Sequence, residues 1–139
     1  MELAVTAELP CPPDRLFAEV DDLADYPRWM GLVHAAEPRE TDVWLVELRA
    51  RVGPFARSKR LRMRRVDLNA PSHVRFERKE NDGRRHGEWV LDVVVEAIES
   101  GSRLVMTLTY SGRLWSSVVE RVLNDEIEAS KVRLRDLVT

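Results

Sequence analysis

Residues 12–33, PPDRLFAEVDDLADYPRWMGLV, carry the signals that decide how this chain folds. Pro13 can open a helix, because proline is tolerated in the first turn. Apolar residues then recur at helical spacing, at Leu16, Phe17 and Val20. The stretch therefore predicts a short helix that buries one face directly after the prolines.

A second and shorter helix is predicted from Asp22 onward. The Asp22 side chain can cap its first turn, whereas Pro27 disfavours helical backbone at Tyr26. We therefore expect one or two irregular turns. Trp29 follows at the junction with an extended region, where its ring can cover apolar surface while its N–H bonds a partner at the rim.

Alternation of apolar and polar residues predicts strands on both sides of these helices. Residues 2–9, ELAVTAEL, place every second residue on an apolar face, as a half-buried strand does. Residues 32–112 show the same alternation of apolar and polar residues and predict about six further strands separated by turn residues.

Three local signals refine the predicted strands. The sequence GPF at residues 53–55 predicts a turn, and NDG at residues 81–83 predicts a tight hairpin, since Asp-Gly supports positive φ. Within residues 56–68, ARSKRLRMRRVDL, the apolar parity changes. A β-bulge near Arg64 and Arg65 would account for that change.

The C-terminal region predicts one long helix. Ser117 followed by Glu120 fits a capping box, and Glu126 and Ser130 fall on or near the apolar stripe although both are poor core residues. The stripe consists of Val118, Val119, Val122, Leu123, Ile127, Leu134 and Leu137.

The order of elements predicts an α+β fold. Consecutive strands joined by short turns favour an antiparallel sheet, and one long helix must cover a face of that sheet. The chain has 139 residues, which fits a single domain over residues 1–139.

This order resembles the START-like, or SRPBCC, helix-grip superfamily, especially its small polyketide cyclase/dehydrase-like members. The resemblance covers the whole chain and is carried by the proline-led helix, by Asp22, Tyr26, Pro27 and Trp29, and by RVGPFARSKRLRM at residues 51–63. It implies a curved antiparallel sheet of about seven strands (β-α-α-β6-α) wrapped around the long C-terminal helix. It also implies an apolar pocket between them, with Trp29 plugging the junction.

Composition excludes several other classes. The net charge of −2 exerts no global pull toward nucleic acid or anionic membrane. The single cysteine, Cys11, suits a reducing cytoplasm; we expect no signal peptide and no membrane span. His34, His73 and His86 lie on separate segments without metal-ligand spacing, and no nucleotide-binding motif occurs, so we expect no metal or cofactor.

The inward faces of the predicted elements enclose a space that side chains could fill as a solid core. The resemblance instead implies a pocket, in which Arg78 and Tyr110 supply polar groups to an otherwise apolar cleft. Its predicted residues are Trp44, Val46, Leu48, Met63, Phe76, Arg78, Trp89, Leu91, Val93, Met106, Leu108, Tyr110, Val122, Glu126 and Ser130. The expected function is binding or transport of a small hydrophobic molecule such as a lipid, polyketide or aromatic metabolite.

Two alternatives remain open at this stage. A cyclase or dehydratase would use Arg78, His86, Tyr110 and Glu126 to hold a polyketone and move protons. An interaction module would instead use the basic strand at residues 57–65, RSKRLRMRR. Because no aromatic residues alternate with these arginines, we expect at most weak, salt-dependent binding of polyanions.

Overall fold

The computed structural model describes residues 2–52, 54–111 and 117–139, and the side chains of all of these except residues 52, 55 and 117–120. The elements are β1 (Glu2–Leu9), α1 (Pro13–Val20), a 3-10 helix (Leu23–Arg28), β2 (Val33–Pro38), β3 (Val43–Val52), β4 (Phe55–Asn69), β5 (His73–Arg78), β6 (Trp89–Ile98), β7 (Gly101–Tyr110) and α2 (Ser117–Val138). This order confirms the predicted α+β, helix-grip fold class.

The seven strands form one curled antiparallel sheet in the order β1-β7-β6-β5-β4-β3-β2. The first two strands of the chain therefore stand at opposite edges of the sheet. On the concave face β1 contributes Leu3 opposite Leu108 and Val5 opposite Met106. Residues 10–32 must carry the chain from one edge to the other, and α1 and the 3-10 helix are the means by which they do so.

The two short helices begin where the sequence predicts. Pro13 occupies the first turn of α1, and the Asp22 carboxylate accepts a hydrogen bond of 2.8 Å from the Ala24 backbone N–H. Glu19 is buried at the end of α1, where its carboxylate is paired with Arg15 at 2.9 Å and Arg28 at 3.3 Å. The pairing compensates the cost of removing that charge from water.

Aromatic rings fill the core beneath the short helices. Trp29 packs on Tyr26 with ring centroids 5.1 Å apart, and Tyr26 meets Phe76 edge-on at 6.2 Å. Trp44 in turn meets Phe76 edge-on at 5.7 Å, and the Arg65 guanidinium lies over the Trp44 ring. This end of the sheet is a solid core.

The predicted bulge and the predicted hairpin both have counterparts in the structure, but their positions or lengths differ from the prediction. The bulge in β4 falls between Arg65 and Asp67, slightly beyond the predicted position, and returns Leu68 to the face of Val74. Gly83 adopts positive φ, but residues 79–88 form a longer connection than the predicted tight hairpin because β5 ends at Arg78. Gly53, within the turn predicted at residues 53–55, lies outside the described residues, and the capping box of Ser117 and Glu120 lies outside the described side chains.

The long helix α2 buries one side over the sheet. Leu123, Ser130, Leu134 and Val138 are its buried residues among those described, whereas Val132 is exposed. Within the described ranges, no helix is long and apolar enough to cross a membrane.

Gly101 begins β7 in a conformation that only glycine accommodates. Its φ is +140°, and a Cβ there would overlap the Leu9 backbone carbonyl and approach the Cys11 backbone nitrogen at 2.9 Å. Gly83 also has positive φ, but a Cβ on it would meet open space. Comparing substitutions at the two glycines therefore distinguishes the cost of backbone strain from the cost of steric overlap.

We predict that Gly101→Ala lowers the free energy of unfolding by about 3 kcal/mol or more, because strain and backbone overlap add. Gly83→Ala should cost only about 1 kcal/mol, since it carries the strain alone. Urea unfolding followed by circular dichroism measures both. Equal losses for the two variants would contradict the close packing of Gly101 against Leu9.

Candidate ligand-binding site

An apolar cavity of about 130 Å³ lies between the concave face of the sheet and α2. Seven predicted residues line it: Val46, Leu48, Met63, Trp89, Leu91, Met106 and Leu108. Leu123 and Ile127, which the predicted apolar stripe includes, also line the cavity. The other lining residues lie outside the predicted pocket: Leu3, Val5, Leu23, Tyr26, Met30, Leu32, Val33 and Leu61. A cavity of about 150 Å³ with similar lining can hold a benzene ring, so this one has room for a single ring or a short chain.

Several predicted residues lie elsewhere. Trp44, Phe76 and Val93 are buried in the solid core beneath the short helices. The prediction took the whole concave face as one pocket, but Tyr26 fills this end of it. On α2 the helix presents Leu123 rather than Val122 to the cavity.

Glu126 and Ser130 form a polar latch between α2 and residues 29–31, outside the apolar cavity. Ser130 Oγ accepts a hydrogen bond from the Gly31 backbone N–H at 3.2 Å. Arg133 donates to the Trp29 carbonyl at 3.0 Å and to Glu126 Oε1 at 2.6 Å. A side chain at Gly31 would overlap the Glu126 carboxylate. Glu126 and Ser130 therefore help to fix α2 against residues 29–31, a structural role that the pattern of the apolar stripe alone does not indicate.

Arg78 and His86 come together at a second, polar cleft of about 420 Å³ beside the loop at residues 79–88. Arg78 Nε donates to Glu80 Oε1 at 2.9 Å, and its Nη2 lies 3.3 Å from His86 Nδ1. His86 Nε2 lies 2.9 Å from Asp82 Oδ2. The two predicted polar residues are therefore neighbours, but they line this cleft and not the apolar cavity.

Hydrogen bonds favour the charged forms of two carboxylates, Glu80 in this cleft and Asp82 in the adjoining loop. Burial alone would raise the pKa of Glu80, but hydrogen bonds from the Arg62 backbone and the Arg78 side chain outweigh it, so its pKa is lowered. Hydrogen bonds from the Arg84 backbone and the His86 ring lower the pKa of Asp82. Both groups are therefore anions near neutral pH.

Trp89 lies between the two spaces and lines both of them. Its ring stacks on that of Tyr110 with centroids 5.4 Å apart. Its indole Nε1 is buried without a hydrogen-bond partner among the described residues. Leaving a buried donor unpaired costs on the order of 1–3 kcal/mol, so an oxygen atom brought to this N–H would be favoured.

Two outward arginines of β4 have acidic neighbours, though these are not the acids expected from β6. Arg62 binds Glu40 at 3.1 Å, and Arg60 stands opposite Glu47 of β3. Of the β6 acids, Asp92 reaches Arg75 at 3.6 Å, but Glu96 pairs with Arg103 of β7. Acids of the neighbouring strands and loops therefore offset part of the positive charge on this face.

No cluster of three or more His, Cys, Asp or Glu suited to a metal ion occurs within residues 2–52, 54–111 and 117–139. Cys11 is a free, buried thiol whose pKa is raised chiefly by burial. Of the three predicted acid–base groups besides Arg78, only His86 shares its cleft. Tyr110 stacks behind Trp89, and Glu126 belongs to the latch.

A curled sheet that encloses an apolar cavity under a C-terminal helix defines a helix-grip protein. The family described as "Polyketide cyclase / dehydrase and lipid transport" matches residues 1–139, and the chain belongs to this family. A comparison with curated proteins gave no match.

Solved structures with the same fold cover nearly the whole chain. A conserved protein from Geobacillus kaustophilus aligns with a TM-score of 0.77 at 11% identity, over 99% of this chain and 95% of that one. The protein TTHA0849 from Thermus thermophilus gives 0.70 at 20% identity, with 99% and 97% covered. The Zhui aromatase/cyclase from Streptomyces sp. R1128 gives 0.68 at 13% identity, with 99% and 93% covered. At these identities the likeness shows the fold.

The latch predicts unequal effects for two arginines of α2. Arg133→Ala removes hydrogen bonds to Trp29 and Glu126 and should lower the free energy of unfolding by about 1–2 kcal/mol. Arg121 is exposed on the same helix and has no ion-pair partner among the described residues, so Arg121→Ala should change it by less than about 0.5 kcal/mol. Urea unfolding of both variants tests this, and equal losses would count against the latch.

Proposed function

We propose that this protein binds, and carries, a small hydrophobic molecule in the cavity between the sheet and α2. The observation that supports the proposal is the cavity itself, which is lined almost wholly by aliphatic, methionine and aromatic side chains from both layers of the fold. A mostly apolar space with a few polar groups nearby is the usual form of a small-molecule site. The description of the family, which includes lipid transport, agrees with it.

The affinity would come mainly from removing apolar surface from water. A guest that buries about 200 Å² of apolar area gains about 5 kcal/mol at about 25 cal/mol per Å², before the costs of association. The unpaired Trp89 N–H could add orientation by donating to an oxygen of the guest. A lipid, polyketide or aromatic metabolite supplies both features.

The size of the cavity limits the guest that fits without rearrangement. Typical pockets for small molecules measure about 300–1,000 Å³, several times the 130 Å³ found here. Met30 and Met106 stand in the lining, and the flexible methionine side chain adapts readily to a new shape. A larger guest would enter by displacing these side chains.

We predict that filling the cavity abolishes binding. Leu91→Trp and Leu108→Trp place an indole in the cavity and should weaken binding of an environment-sensitive dye at least about tenfold, because the guest and the indole compete for one volume. Leu68→Trp, at an exposed position, is the matched control and should leave affinity unchanged. Fluorescence titration measures all three. Unchanged affinity in both cavity variants, with folded protein by circular dichroism, would place the guest elsewhere.

A second candidate function is acid–base catalysis of the cyclase or dehydratase type. It is favoured by His86, which lies within hydrogen-bonding distance of Asp82 and Arg78, in a cleft that shares Trp89 with the cavity. Histidine is the side chain most often used for general acid–base catalysis. Incubation with a reactive polyketone should then give a ring-closed product with wild-type protein and none with His86→Gln. Equal turnover by both would exclude His86 as the acid–base group.

The remaining expectations follow from charge and cysteine content. Because acids of neighbouring elements meet Arg62 and oppose Arg60, we propose no specific nucleic-acid partner for strand β4. A gel shift that persists at physiological salt would overturn this. The cytoplasm is the proposed compartment, on the ground that Cys11 is a free thiol.

A further inference from the structure

Two basic residues stand on the concave face of β4 beside the cavity. Leu61 and Met63 of β4 line the cavity, and alternate residues of a strand share a face. Lys59 and Arg57 therefore continue the inward row beyond Leu61.

The pairing of β3 with β4 gives the same placement independently. Lys59 lies opposite Leu48, which lines the cavity, and Arg57 lies opposite Ala50. Directly opposed residues in an antiparallel pair project to the same side of the sheet. Lys59 is half-buried and Arg57 is exposed, so this row runs from the wall of the cavity out to solvent.

The two cations lack acidic partners within the part of the chain that the structure describes. Lys59 and Arg57 make no ion pair or side-chain hydrogen bond with any of the described residues, whereas Arg62 and Arg65 on the same strand bind Glu40 and Asp42. Glu47, the nearby acid of β3, stands opposite Arg60 and therefore faces the convex side.

Glu80, in the adjoining loop at residues 79–88, does not neutralise the charges of Lys59 and Arg57 either. Glu80 Oε1 accepts hydrogen bonds from Arg78 Nε at 2.9 Å and from the Arg62 backbone at 3.0 Å. Its charge is already matched by Arg78, so it leaves the positive charge of Lys59 and Arg57 uncompensated. Two such cations at the edge of an apolar cavity are a site for an anion that is attached to an apolar body.

We propose that the guest is an amphiphile with a carboxylic acid group, whose apolar part fills the cavity while its carboxylate is bound by Lys59 and Arg57. This inference rests on the proposed function and specifies its ligand class. The cavity holds about one ring, so an aryl alkanoic acid has suitable dimensions. Its ring would lie among the apolar residues, and its short chain would reach the inward row of β4.

The test compares two probes of equal shape and different charge, phenylbutanoate and phenylbutanol, by NMR titration at low ionic strength. The Lys59→Gln/Arg57→Gln double variant should bind phenylbutanoate about tenfold more weakly than wild type, which is the value of one charge-assisted contact. Its affinity for phenylbutanol should stay within about twofold of the wild-type value. Added salt should weaken phenylbutanoate binding in wild type and have little effect in the double variant.

Arg60→Gln is the matched control, because Arg60 directly follows Lys59 on the same strand but faces the convex side. It should leave both affinities unchanged. Equal loss of phenylbutanoate affinity in Arg60→Gln would show nonspecific charge attraction and overturn the proposal, as would unchanged phenylbutanoate affinity in the double variant.

If the proposed binding function itself is wrong, the phenylbutanol titrations give a different result. If phenylbutanol does not bind wild type, or binds Leu108→Trp equally well, the cavity is not the binding site and the inference falls with it. If phenylbutanol binds in the cavity and the charge variants do not discriminate, only the assignment of an acidic guest is wrong.

Discussion

Two hydrogen bonds at the end of α1 hold together the segment on which the rest of the fold depends. The last carbonyls of a helix lack partners within the helix. Here the Glu19 carbonyl accepts from Trp29 Nε1 at 3.2 Å, and the Val20 carbonyl accepts from the Tyr26 hydroxyl at 2.8 Å. The aromatic side chains thereby fix the 3-10 helix against α1, and this pair of helices sets the path from the β1 edge of the sheet to the β2 edge.

The same aromatic residues determine which end of the concave face is filled and which end borders the cavity. Tyr26 and Trp29 anchor a stack that includes Phe76 and Trp44, so the concave face is filled at this end. Toward the Lys59 end, the strands supply mainly leucine, valine and methionine side chains to the wall of the cavity. The latch of Glu126, Ser130 and Arg133 holds α2 at its distance by polar contacts, and the cavity remains between the layers.

The sequence predicted the architecture well because its signals are local. Proline, the Asp22 cap and strict alternation of apolar residues report the backbone directly, and they predicted the order of elements and the shared inward face of β3, β4, β6 and β7. The family resemblance added the curvature of the sheet and the position of the helix. The predicted bulge was nearly correct because parity along one strand reveals an inserted residue.

The division of the inward face between core and cavity was not predictable in the same way. Alternation shows that Phe76 and Leu91 point inward, but not that Tyr26 covers Phe76 while Leu91 borders a cavity. Glu126 resembled a polar pocket residue because the Gly31 backbone, beside which its carboxylate lies, is far away in sequence. The inward position of Lys59, opposite Leu48, was missed because the run of basic residues in β4 indicated a solvated face.

The apolar cavity links the binding of a guest to the folding of this protein. An apolar space of 130 Å³ carries a cost of about 3 kcal/mol, at about 24 cal/mol per Å³. That is a substantial share of the net stability of a typical domain, which is about 5–15 kcal/mol. A guest that fills the space restores the missing dispersion contacts and binds only the folded chain, so resistance to heat and to proteolysis rises with guest concentration. Under the proposed function, the lifetime of the protein in the cell would therefore be coupled to the supply of its guest.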